Sequence, residues 1–194
     1  MATTDRDVVL ALHRRDPDAI GRVVRDHAQS LYRAARGVGF SDRDADDLAQ
    51  DVFATFLETL DRFEGRSQIR TWLFGILHRK MLERWRGRQR DALNDSVDES
   101  FERRFDANGS WVHPPADTQR LAESAEIGAA VRTCLAKLPD AQRLVFVLRQ
   151  LEELETDVVC KIVGKTVTNV NVMLHRARLR LRECLEDLGW KGTR

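Results

Sequence analysis

The segment Gly164-Lys165-Thr166-Val167-Thr168-Asn169-Val170-Asn171-Val172-Met173-Leu174-His175-Arg176-Ala177-Arg178 leaves few folds open. It follows a short apolar-periodic stretch, Val158, Val159, Ile162 and Val163, across a glycine turn. A helix-turn-helix reads this way in sequence. Thr166 is placed to cap the incoming helix, its hydroxyl accepting from a free backbone N–H. Val170, Leu174, Ala177 and Leu181 recur at helical spacing and define one inward face. The other faces carry Thr168, Asn169, Asn171, His175 and arginines. Amides and guanidinium groups of this kind suit base edges and phosphates. A solvated amphipathic helix would show the same pattern, so the segment alone leaves both readings open.

Helical periodicity continues through most of the chain, and no useful length alternates with period two. Asp16-Pro17 supplies a cap and a first-turn proline for a helix to about Arg36, stopped by Gly37 and Gly39. Ser41-x-x-Asp44 reads as a capping box. It opens a helix with Ala45, Leu48, Ala49, Val52, Phe53, Phe56, Leu57 and Leu60 on one side. After a loop at Phe63–Ser67, a third helix from about Gln68 to Arg88 buries Ile69, Trp72, Leu73, Ile76 and Leu77. Residues 91–117 are acidic, contain Asn108-Gly109 and Pro114-Pro115, and keep no apolar period, which is the composition of a linker. From Thr118 the helical pattern resumes, is interrupted by Pro139, and leads into the helix-turn-helix through Leu144, Val145, Leu148 and Leu151. The expected fold is all-α: two small helical domains, residues 1–90 and 118–194, joined by a flexible acidic linker at 91–117.

The net charge of +1 conceals a banded arrangement. Residues 40–61 carry seven acids against one base, 62–90 nine bases against two acids, and 91–126 nine acids against three bases. Solubility alone asks only for interspersed signs. Bands point to separate partners, a basic one for the acidic segments and a polyanion for the basic ones. No apolar run approaches the roughly 20 residues that span a bilayer, and the first residues show no signal-peptide pattern. A soluble, cytoplasmic protein is expected. Cys134, Cys160 and Cys184 are odd in number and lack a C-x-x-C pair. Three separate apolar cysteines are therefore expected, with no disulfide framework and no metal site. Histidines, cysteines and serines form no nucleophile–base arrangement, so neither catalysis nor a cofactor is expected.

Several segments carry a family resemblance. Asp44-Ala45-Asp46-Asp47-Leu48-Ala49-Gln50-Asp51-Val52-Phe53 resembles the acidic D-A-E-D-L-x-Q-E-x-F helix of bacterial sigma factors of the sigma-70 superfamily. Phe63-Glu64-Gly65-Arg66-Ser67-Gln68-Ile69-Arg70-Thr71-Trp72-Leu73 is similar to their F-x-G-x-S-x-x-R-T-W-L segment. Leu138-Pro139 and the run Leu174-His175-Arg176-Ala177-Arg178 resemble their C-terminal promoter-reading domain. Order, spacing and the intervening linker match the short extracytoplasmic-function (ECF) branch, across nearly the whole chain.

The resemblance implies core RNA polymerase, promoter DNA and an anti-sigma factor as partners. It implicates Asp46, Asp47, Gln50 and Asp51 in polymerase docking, although acids in a first turn also compensate the helix dipole. It places the −10 element against Phe63, Arg66, Ser67, Arg70, His78, Arg79, Lys80, Arg84 and Arg86, with a base flipped into a pocket at Phe63–Ser67. Trp72 reads more simply as core than as a stacking platform. For the −35 element, Thr168, Asn169, Asn171 and Val172 are the base-edge candidates, and His175, Arg176 and Arg178 the phosphate candidates. A stand-alone helix-turn-helix repressor or activator is the alternative.

Overall fold

The computed structural model describes residues 5–88 and 125–190. The linker expected at 91–117 lies outside them. The described residues contain eight α-helices and no strand, and they fall into two compact units.

The first unit is built from α1 (Asp5–His13), α2 (Pro17–Gly37), α3 (Asp42–Glu58), a 3₁₀ turn (Leu60–Arg62) and α4 (Ile69–Arg88). Asp16 caps α2, its Oδ1 accepting from the N–H groups of Asp18 at 2.8 Å and Ala19 at 3.1 Å. Ser41 caps α3 by accepting from Asp44 N at 3.1 Å, while its hydroxyl donates to Asp44 Oδ2 at 2.8 Å. The box is thus closed through the serine hydroxyl. Apolar side chains at helical spacing then meet in one core: Val23 and Leu31 of α2, Leu48, Val52 and Phe56 of α3, and Leu73, Leu77 and Met81 of α4 are all buried. Trp85 lies over Phe40, rings near parallel and centroids 6.0 Å apart. Helix α1 is absent from the sequence expectations. It is nine residues long, too short to hold its shape without packing, and fully buried Leu12 supplies the anchor.

The second unit contains α5 (Ala125–Ala136), α6 (Asp140–Phe146), a π-helical turn (Val147–Leu151), most of α7 (Thr156–Val163) and α8 (Val167–Asp187). Helix α8 packs on α5 and α6, burying Val170, Leu174, Ala177, Leu181 and Leu185. Gly164 ends α7 in the left-handed conformation at φ 66°, which costs glycine nothing. Thr166 then caps α8, accepting from Asn169 N at 3.3 Å, as the sequence predicts. Two expectations fail here. Leu151 is exposed, because the π turn widens the helix and carries the apolar stripe away from it. Glu152 N bonds to Val147 O, five residues back, at 3.0 Å. Cys134 and Cys184 are not separate apolar residues, since they form a disulfide between α5 and α8 across 50 positions. Only the packing of these helices brings the two sulfurs together. Cys160 is free and half-buried.

Candidate functional site

Helix α3 turns Leu48, Ala49 and Val52 into the core, and helical geometry then leaves Asp46, Asp47, Gln50 and Asp51 exposed. Gln50 Nε2 donates to Asp46 Oδ2 at 2.9 Å one turn away, which holds two polar groups of this face in register. Asp51 has a partner on the next helix. Arg84 of α4 donates from Nη2 to Asp51 Oδ2 at 2.9 Å and from Nη1 to the Asp44 carbonyl at 3.2 Å. The sequence reading assigns Asp51 to an acidic surface and Arg84 to a DNA surface. The structure joins the two residues and ties Arg84 to the acidic helix.

The loop between α3 and α4 forms the wall of a cavity of about 210 Å³ lined by Arg62, Phe63, Glu64, Arg66, Ser67 and Trp72. Phe63 is buried, with its ring edge-on to Phe56 at 6.3 Å and to Trp72 at 5.5 Å. It is core that doubles as a cavity wall. Trp72 is half-exposed and lines the cavity as well as packing on Phe63. Its Nε1–H is buried without a hydrogen-bond partner among the described residues. Arg66 and Glu64 form an exposed ion pair. Farther along α4, Arg70 sits 5.6 Å from the Phe74 ring centroid, an attraction between cation and ring face. Arg79 and Arg86 are exposed, and His78 and Lys80 half-buried.

In the second unit, Thr168, Asn169 and Asn171 are exposed on the first two turns of α8, with Val172 half-buried beside them. The arginines that follow are held from α6 and the π turn. Arg178 donates to Gln150 Oε1 at 2.8 Å and Arg180 to Gln142 Oε1 at 3.1 Å. These glutamines carry no signal in sequence, because nothing in their spacing refers to α8. Arg176 is half-buried. His175 departs from expectation: it is 5% exposed and does not stand on the open face as a phosphate ligand. Burial, then Arg178 and Arg176 nearby, lowers its pKa to about 4. Its imidazole is neutral at pH 7, unsuited to a phosphate.

An acidic helix, a basic helix beside a small open cavity and an amide-bearing helix-turn-helix are the equipment of a nucleic-acid-directed regulator. Residues 23–91 match the model of sigma-70 region 2, and residues 128–181 that of sigma-70 region 4. A probable RNA polymerase sigma factor of Haemophilus influenzae is 32% identical over 151 residues, 73% of this chain and 76% of that protein. The sigma factor CnrH of Cupriavidus metallidurans is 29% identical over 96% of this chain and 97% of its own length. CnrH has been solved in complex with the cytosolic domain of CnrY. That structure superposes with a TM-score of 0.68 at 26% identity, covering 95% of this chain and 99% of that one. The sigma factor RpoE of Bartonella quintana, solved with the anti-sigma factor NepR, shares the fold with a TM-score of 0.65 at 22% identity, covering 86% and 96%. The chain belongs to the ECF RNA polymerase sigma factors of the sigma-70 superfamily.

Proposed function

We propose that this chain binds core RNA polymerase and directs it to promoters, reading the −10 element with the first unit and the −35 element with the second. The exposed acidic face of α3 carries the proposal. Asp46, Asp47, Gln50 and Asp51 offer acceptors for charge-assisted bonds to a basic polymerase surface. Arg66, Arg70, Arg79, Lys80 and Arg86 meet the phosphates of strands being separated. A displaced base enters the cavity at Phe63–Ser67, its unstacking cost of a few kcal/mol offset by stacking and edge hydrogen bonds. In the second unit, Thr168, Asn169, Asn171 and Val172 meet base edges, and Arg176 and Arg178 the backbone. Asn171 suits adenine, whose N6 and N7 match a side-chain amide. The protein acts in the cytoplasm, as a specificity subunit and not as a catalyst, and an anti-sigma factor holds it inactive. The complex of RpoE with the anti-sigma factor NepR is the precedent for that last element.

The test is copurification with core polymerase, followed by transcription from a promoter pool. The wild-type chain is expected to bind core and select a promoter set, and Asp46→Ala/Asp47→Ala to lose both. A chain that binds duplex DNA alone and ignores core polymerase would be a stand-alone helix-turn-helix regulator instead.

A further inference from the structure

Helix α1 lies outside the matched region, which begins at residue 23, yet its contacts converge on the cavity loop. His13 Nε2 stands 2.9 Å from the Phe63 carbonyl oxygen. A carbonyl only accepts, so the ring carries its proton on Nε2 and donates. One turn earlier, Val9 fills the space beside Gly65: a β-carbon there would lie 3.0 Å from Val9 Cγ2. Gly65 also has a φ of +70°, a conformation that favours glycine. Just past α1, Arg15 approaches Asp61, Nη2 to Oδ2 4.0 Å. Leu12, fully buried, anchors the helix.

The Phe63 N–H is bonded locally, to Leu60 O at 2.9 Å, whereas the Phe63 carbonyl is bonded to His13. That carbonyl belongs to the peptide leading into Glu64 and Gly65, where the chain bends to form the cavity wall. We infer that α1 is the buttress of the cavity loop and that His13 is a positioning residue for reading the displaced base. It touches no DNA. It holds the Phe63–Glu64 peptide in the orientation that keeps the cavity open, so binding does not also have to order the loop. This rests on the proposed −10 role of the cavity.

The experiment uses holoenzyme reconstituted from core polymerase and the full chain, with a single-stranded oligonucleotide carrying the −10 element as probe. His13 is exposed, so His13→Ala opens no core void, and its melting temperature is measured alongside. His13→Ala is expected to weaken oligonucleotide binding about fivefold, the worth of one ordinary hydrogen bond. Affinity for core polymerase and for −35 duplex stays unchanged. His13→Gln restores most of the binding, because its amide offers an N–H at similar reach. Arg15→Ala changes little, since a long exposed ion pair contributes little.

Wild-type binding by His13→Ala overturns the inference. So does an equal loss of core affinity, or failure of His13→Gln to restore binding. Ser67→Trp, which fills the cavity, separates the two layers. If it leaves oligonucleotide binding intact, the cavity does not read a base and both proposals fall. If it abolishes binding while His13→Ala does not, only the positioning role falls.

Discussion

Arg84 and Asp51 face each other from α4 and α3, Nη2 donating to Oδ2 at 2.9 Å, and this contact bridges the acidic and basic surfaces. A second donation, from Nη1 to the Asp44 carbonyl at 3.2 Å, ties the guanidinium to two points of α3 about two turns apart. One side chain thereby links the helix that carries the acids to the helix that carries the bases. Arg84 is 28% exposed and Asp51 50%. The pair is half solvated and its worth is modest.

Arg84→Ala is expected to lower stability by about 1 kcal/mol, since two hydrogen bonds from a charged donor are lost at a part-solvated site. A double-mutant cycle with Asp51→Ala, read from urea midpoints, should show a coupling of about 0.5–1 kcal/mol. Strict additivity would remove Arg84 as the link between the two helices.

The buried imidazole of His175 makes stability depend on pH. Its pKa is about 4 in the folded protein against about 6.5 in an unfolded chain. Between these values the unfolded chain binds a proton that the native state refuses. The contribution of His175 is therefore full above pH 6.5 and falls as the pH drops toward 4, by on the order of 1–3 kcal/mol in all. Urea midpoints of the wild type and His175→Gln across pH 4–7 measure it: the variant should show a flatter profile in this window.

Reduction should loosen α8 without altering any residue proposed to meet DNA. The Cys134–Cys184 bond closes a loop of 50 positions between α5 and α8, and chain entropy assigns such a closure about 4 kcal/mol. With excess dithiothreitol, or in Cys134→Ser/Cys184→Ser, the unfolding midpoint of the second unit should fall accordingly. An unchanged midpoint would mean that the packing of α8 on α6 suffices.

Asn171 is exposed near the start of α8. If it bonds adenine in bidentate fashion, Asn171→Ala should relax discrimination at one −35 position by about 1–3 kcal/mol and leave the other positions as they were. Competition among duplexes differing singly in the −35 element reads this directly. A uniform loss across all sequences would assign Asn171 to the backbone instead.

Local chemistry made much of this protein legible from sequence. Asp16, Ser41 and Thr166 cap the helices they precede, because a side-chain oxygen two or three residues from a free N–H needs no distant partner. The apolar stripes of α2, α3 and α8 lie inward for the same reason: helical period alone sets the face. Exposure of Asp46, Asp47, Gln50, Asn169 and Asn171 followed automatically from the residues opposite them. What depended on residues far apart in the chain was decided only by packing. The Cys134–Cys184 bond, Arg84 on Asp51, His13 on the Phe63 carbonyl and Gln150 on Arg178 join positions 28 to 50 apart. No spacing rule relates them. His175 follows the same logic, since its helical register made it a surface candidate and the surrounding packing withdrew it. The sequence determined the helices from α2 onward, their faces and the family; the tertiary structure decided which charged groups remain free to act, because a hydrogen bond between helices exists only once the helices meet.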